Sequence, residues 1–358
     1  HYAAFRQRRG VMGPVACHTL TMSDRNRQVW LVSRPTGWPS EENFRLVETP
    51  MPVPGEGQVL VRMLYTSVDP YLRGRMRERA SYIDPIPLDS VMQASSVGRV
   101  VQSRNSKFAE GDYVGGMLGW QEYAVAGERE IRTIDPTLAP VSTALGILGM
   151  PGLTAYFGLT EILQAKAGET LLVSGAAGAV GSVAGQIGKI LGMRVAGIAG
   201  GEAKIRWLLD ELKFDAAYDY QAESDHRARI AALCPGGVDC YFDNVGGAIS
   251  DGALLNINER ARIAICGQIS QYNLDKPEMG PRLLFQLIMK RARMEGFLVF
   301  DFAKKYGPAL AQMAEWVRAG RLIHRETVID GIENTPRAFL GMMRGENTGK
   351  MIVRIAAE

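Results

Sequence analysis

The segment Leu171 to Gly192, LLVSGAAGAVGSVAGQIGKILG, joins an apolar strand-like run to a small-residue helical run through closely spaced glycines. Few architectures need such a joint. In a dinucleotide-binding fold the turn after the first strand brings backbone amides against a pyrophosphate, and the positive end of the next helix adds attraction. A side chain at the closest points would block that approach. Aligning the pattern G-x-G-x-x-G gives Ala176, Gly178 and Gly181: alanine replaces the first glycine, while the two that admit phosphate and pack the helix remain. Val180, Val183, Ala184, Ile187 and Leu191 then recur at helical spacing and supply the expected apolar face. The competing reading is a tight strand-to-helix turn with no ligand.

The surrounding rhythm favours the ligand. After Pro151, strand-like runs alternate with helical ones: ETLLVS, RVAGIAG, AAYDY, VDCYFDNV, ARIAICG and MEGFLVF. That alternation predicts a doubly wound parallel sheet of the Rossmann kind, with a helix near Ala203 to Leu212. Upstream the chain reads as short strands with proline and glycine at the joints: RQVWLVSR, GQVLVRMLYTSV, SSVGRVVQS, GDYVGGM and WQEYAVA. Downstream, TVIDGI and KMIVRI share this alternation. At 358 residues the chain exceeds the roughly 100 to 200 residues of one domain. The expected division is a tail over 1–21, a β-rich unit over 22–150, a nucleotide-binding unit over 151–324, and a segment over 325–358 returning to the first unit. The tail carries Arg6, Arg8 and Arg9 and no acid before Asp24, but Pro14 breaks its short apolar part; an added tail or extended start ahead of Met22 is favoured over a transit peptide.

Charge and cysteine content exclude several partners. The net charge of +3 is spread along the chain, which leaves no basic stripe for nucleic acid. No apolar run approaches the ~18 residues of a membrane span. Cys17, Cys234, Cys240 and Cys266 form no CxxC pair and read as free thiols, as in a reducing, cytoplasmic setting. Cys240 and Cys266 fall inside strands, where cysteine acts as a small hydrophobe.

Which nucleotide binds is set at the end of the second strand. An NAD site presents a carboxylate there to the ribose diol. Here Ala199, Gly200 and Gly201 end the strand, Glu202 lies past it, and Lys204 and Arg206 follow, the charge that a 2′-phosphate wants. NADPH is therefore expected. The alternative makes Lys204 and Arg206 the solvated face of a helix buried through Ile205, Leu208, Leu209 and Leu212. Ligands bind beyond the carboxyl ends of such strands, so Asp243 and Asn244, Gly267 to Tyr272, and Phe297 to Val299 should surround the cofactor. Asn244 fits equally a turn residue before Gly246 and Gly247.

No residues have the spacing of a zinc site, so no metal is expected. His1 and His18 lie in the tail, and His226 and His324 stand alone. Neither GxSxG nor HExxH occurs, and GENTGK has the wrong spacing for a phosphate loop, with Met351 where serine or threonine belongs.

The segments SVDPYLRGRM, VMQASSVGRVV, LGMPGLTAYFGL, SGAAGAVGS, YFDNVGG, CGQISQYN, MEGFLVF and GENTGKMIVRI, in this order, resemble the zinc-free medium-chain reductases that reduce enones and alkenals, the curcumin and prostaglandin reductases among them. The resemblance covers about Arg27 to Ile355 and implies a GroES-like domain beside the Rossmann domain. It implies that Gly178, Ala179, Val180 and Gly181 hold the pyrophosphate and that Lys204 and Tyr220 contact the 2′-phosphate. Asn244, Cys266, Gly267, Gln268, Ile269, Ser270, Gln271 and Tyr272 would line the rest of the cofactor, with Phe297, Leu298, Val299 and Asn347. It also implies a homodimer.

The chemistry follows from the class of substrate. A conjugated carbonyl accepts hydride at its β-carbon because the negative charge moves to oxygen as an enolate. That oxygen needs a donor, and Tyr272 is the first choice, with Tyr71 and Tyr82 also matching tyrosines near substrate in the resembled family. Two alternatives remain: a quinone reductase of the same superfamily, and a non-catalytic NADPH-binding sensor.

Overall fold

Residues 25–79 and 81–358 are described by a computed structural model; the expected tail, with His1, Cys17 and His18, lies outside the described residues. The alternating second half forms one six-stranded parallel sheet from Thr170–Ser174, Arg194–Ala199, Ala216–Asp219, Val238–Asp243, Ile257–Ile265 and Arg293–Gly296. In space the strands run third, second, first, fourth, fifth, sixth. This is the Rossmann order, and it reverses between the first strand and the fourth. Leu171, Leu172 and Val173 are fully buried, as a strand covered by helices on both faces requires.

Two elements depart from the sequence pattern. The last strand stops at Gly296, whose register partner Ile265 ends the neighbouring strand; with no ladder to continue, Phe297 and Leu298 leave the sheet. The helix expected over Ala203 to Leu212 is α-helical only over Glu202–Arg206 and widens to a π-type turn over Trp207–Glu211, which buries Trp207 and Leu208.

The first half is strand-rich and GroES-like. A seven-stranded sheet contains Gln58–Ser67, and Lys350–Arg354 pairs antiparallel to it and parallel to Glu326–Asp330. The C-terminal segment is thus woven into the sheet of the first half. A smaller sheet pairs Arg25–Leu31 with Phe44–Pro50, a strand the alternation did not mark. Beneath it Phe44, Trp120 and Phe339 pack ring to ring, with centroids 5.7 to 6.2 Å apart, which fastens the helix Thr335–Met343 to this half.

Candidate active site

A cavity of about 1070 Å³ opens at the carboxyl ends of the parallel strands where their order reverses, and it is closed by Val68 to Tyr71 of the first half and by residues of the C-terminal segment between Met342 and Met351. The glycine turn forms its floor. Gly175 adopts φ +60°, a backbone that side chains disfavour, and this corrects the alignment: the turn glycine is Gly175, one residue before Ala176, which is fully buried. A Cβ on Gly181 would lie 2.3 Å from the Gly175 carbonyl oxygen, and one on Gly178 3.2 Å from the same atom. Among the described residues nothing accepts from the amides of Val180 and Gly181, which open the helix Gly181–Ile190. Free amides at a helix N-terminus beside a bare turn fit a pyrophosphate. The Gly349 amide donates to the Ala177 carbonyl at 2.8 Å and Asn347 Nδ2 to the Gly349 carbonyl at 2.7 Å, so Asn347 reaches the wall from the far end of the chain.

At the second strand's end, Lys204 lines the cavity and its Nζ donates to the Gly345 carbonyl at 2.5 Å. Burial lowers the pKa of this ammonium. Tyr220 lines the cavity beside it; a Cβ on Gly200 would come within 2.9 Å of its ring, so glycine there admits the phenol. Arg206 does not join them. It pairs with Glu202 at 3.3 Å, both side chains largely exposed, so only one of the two cations expected reaches the site. Arg344, which the sequence did not mark, lines the same end and is held by Glu346 at 2.7 Å.

At the opposite end Asn244 donates its amide N–H to Ser174 Oγ at 2.9 Å and its side-chain Nδ2 to the Ser174 carbonyl at 2.7 Å, which ties the fourth strand's end to the first. Asn244, Cys266, Gly267, Ile269, Ser270, Tyr272 and Phe297 to Val299 all line the cavity. Gln268 and Gln271 do not: Gln268 Nε2 donates to Asp243 Oδ2 at 3.0 Å, and Gln271 Nε2 to Glu278 Oε2 at 2.8 Å. Gln268 turns to a carboxylate behind the wall and Gln271 is held by Glu278 on the rim, so neither side chain lines the cavity as expected. Burial, then the Asp243 charge, pushes the Cys266 thiol up to about 12.

Three phenols face this end. The Tyr272 hydroxyl accepts from the Gln268 amide at 3.2 Å, and burial above all raises its pKa. Tyr71 begins the short helix Leu72–Arg75; burial first and Asp69 second raise its phenol. Tyr82 is 58% exposed yet lines the cavity, with its pKa raised chiefly by burial. The sequence did not single out Trp38, Asp69 or Lys350. Lys350 Nζ donates to Asp69 Oδ1 at 2.9 Å, and both residues are buried. They are 281 positions apart, so no local pattern links them.

Residues 27–134 match the family described as the N-terminal domain of oxidoreductase, and residues 179–315 that described as zinc-binding dehydrogenase. The chain belongs to the medium-chain dehydrogenase/reductase family, in its branch of NADP-dependent oxidoreductases. It is 42% identical to the NADPH-dependent curcumin reductase of Escherichia coli and 42% identical to the 2-alkenal reductase (NADP(+)-dependent) of Nicotiana tabacum; each match covers 93% of this chain and 98% of the relative. The crystal structure of CurA in complex with NADPH from Vibrio vulnificus superposes with a TM-score of 0.89 at 43% identity, over 93% of this chain and all of that one. The zinc of the second family description has no fit here, since among the described residues no three His, Cys, Asp or Glu are grouped to hold a metal. No described helix is long and apolar enough to cross a membrane.

Proposed function

We propose that this chain reduces the carbon–carbon double bond of α,β-unsaturated ketones and aldehydes with NADPH. The observation that carries the reading is one cavity that holds the bare glycine turn, half-buried Lys204 and the Tyr272 phenol together. Val180 and Gly181 would bind the pyrophosphate through their amides, and Lys204 and Tyr220 the 2′-phosphate. Phe297 to Val299, Cys266 and Asn347 would flank the rest, while Gly178 and Ala179 leave room for it. When bound, NADPH supplies hydride to the substrate's β-carbon. The residues do the rest. Because the Tyr272 oxygen accepts from the Gln268 amide, its own proton is free to point into the cavity and to meet the enolate oxygen. Its raised pKa keeps that proton in place through the neutral range. Tyr71 and Tyr82 close the substrate end, and the side chains of Val68, Met150, Leu274 and Met342 exclude water from it.

In this reading residues 22–150 and 325–358 form the GroES-like unit and 151–324 the nucleotide-binding unit. The protein works in the cytoplasm, with its cysteines reduced. A second copy of the chain is the expected partner: among the described residues the edge strand Arg293–Gly296 has one neighbour only, and Leu284, Phe285 and Ile288 on the helix before it are 63 to 71% exposed. Light scattering on the pure protein should give twice the chain mass, and Ile288→Asp half of that.

The decisive assay mixes protein, NADPH and 3-nonen-2-one and identifies the product by mass spectrometry. The saturated ketone is expected. An allylic alcohol, or no NADPH oxidation across a broad enone and enal panel, overturns the proposal; turnover of quinones alone would favour a quinone reductase.

A further inference from the structure

Asp243 touches nothing in the cavity, yet donors from three parts of the sheet converge on it. Its Oδ1 accepts from Ser174 Oγ at 3.0 Å, Tyr241 Oη at 2.9 Å, and the Val245 and Gly246 amides at 3.0 Å each. Its Oδ2 accepts from Ser250 Oγ at 2.5 Å and Gln268 Nε2 at 3.0 Å. The residue is 1% exposed and, among the described residues, has no cation for a partner. Its charge is satisfied by neutral donors alone, so each donor is held by a charge-assisted bond. Ser174 leads into the glycine turn, Val245 and Gly246 follow Asn244, and Gln268 belongs to the loop that ends at Tyr272. Gly246, at φ +74°, is bare where a Cβ would lie 2.1 Å from Gln268 Oε1. The Gln268 side chain is thereby gripped between the carboxylate and that glycine, while its backbone amide donates to the Tyr272 hydroxyl.

We propose that Asp243 and Gln268 are positioning residues: the carboxylate fixes Gln268, and the Gln268 amide then turns the Tyr272 hydroxyl so that its proton faces the substrate. The proposal rests on the donor role given to Tyr272 above. Neither residue touches the reacting atoms. Their effect is felt through one hydrogen bond to one phenol.

The polarity of the pair supplies the test. The Val245 and Gly246 amides can only donate, so in Asp243→Asn the remaining oxygen must stay with them and the new amide group faces Ser250 and Gln268. Both can turn to accept, and the link survives. Gln268→Leu removes it, and Gln268→Glu sets two carboxylates against each other. Combining Asp243→Asn with Gln268→Glu restores a bond of reversed polarity. Gln268→Leu should lower kcat roughly tenfold, the worth of one such bond, while NADPH affinity measured by calorimetry stays within about twofold. In a Tyr272→Phe background the same change should have almost no further effect on kcat, because the hydroxyl it orients is gone. Asp243→Asn/Gln268→Glu should recover most of what Gln268→Glu loses.

Hydrogen exchange over residues 266–272 of the cofactor-free protein gives a readout independent of turnover. Gln268→Leu and Tyr272→Phe should each speed it, and the compensated double variant should return it to the parent rate. Additive losses of kcat in the Tyr272→Phe background, or a folded double variant whose exchange stays fast, would overturn the pair. Should the parent reduce no enone, the reading of function fails by itself, and exchange alone still decides whether Asp243 fixes the loop. If Gln268→Leu does not fold, the Gln268→Glu series answers both questions.

Discussion

The two ends of the cavity are held by different means. The nucleotide end is backbone: Gly175 bends left-handed, Gly181 presses against its carbonyl, and two amides have no partner among the described residues. The substrate end is side chain: Tyr71, Tyr82, Tyr272 and Trp38 arrive from separate stretches of sequence, and two of them, Tyr82 and Trp38, are more than half exposed. A wall of backbone tolerates almost no substitution at its glycines and is indifferent to most changes elsewhere. A wall of side chains can be altered one residue at a time, and so selects among substrates without disturbing the nucleotide.

The largest expected effect lies at the backbone end. Gly181→Val drives its side chain into the Gly175 carbonyl; the turn must move, and NADPH affinity by calorimetry should fall by roughly 10- to 100-fold or more, with a lower melting temperature. An unchanged affinity would erase the contrast between the two ends. Tyr272→Phe comes next: kcat should fall roughly 10- to 100-fold in steady-state assays at little change in NADPH affinity, less than the loss of a sole oxyanion donor if Tyr71 shares the task. Lys204→Ala should weaken NADPH about tenfold and leave NADH untouched, since only the 2′-phosphate meets that ammonium. Equal losses with both nucleotides would refute the phosphate assignment. Tyr82→Phe, at the exposed rim, should change kcat/KM for a small enone by no more than about threefold.

The smallest effect is a drift with pH. Burial raises the thiols of Cys234 to about 11 and of Cys240 and Cys266 to about 12, from an ordinary value of 9.0. Between these values the unfolded chain releases protons that the native protein keeps, so stability is full below pH 9 and is lost as pH rises toward 12. Urea midpoints measured from pH 8 to 11 should fall, and iodoacetamide at pH 9 should label the buried thiols of Cys234 and Cys240 far more slowly in the native protein than in urea.

The same division explains what the sequence disclosed. The strand–turn–helix run and the alternation after it are local patterns, so the parallel sheet, the glycine cradle and Lys204 were legible. Even there, one residue of register separated Ala176 from the glycine that makes the turn, because buried alanine and turn glycine are both small and only the backbone angle tells them apart. Arg206 looked equivalent to Lys204 until helix geometry paired it with Glu202. The substrate end was legible only through resemblance, since Asp69 and Lys350 meet across most of the chain. Gln268 stood in the right loop, but which way its side chain turns depends on a carboxylate from another strand.

The contact between Gly349 and the Ala177 carbonyl has a consequence for how the protein is made. Residues 345–354 leave the ribosome long after the glycine turn, yet they buttress that turn and also join the edge strand Glu326–Asp330 to Gln58–Ser67 in the sheet of the first half. During synthesis both halves wait, each missing a piece carried by the same late stretch. A nascent chain halted before Gly345 should therefore bind no nucleotide, and ligand capture would mark the moment this stretch has emerged and docked.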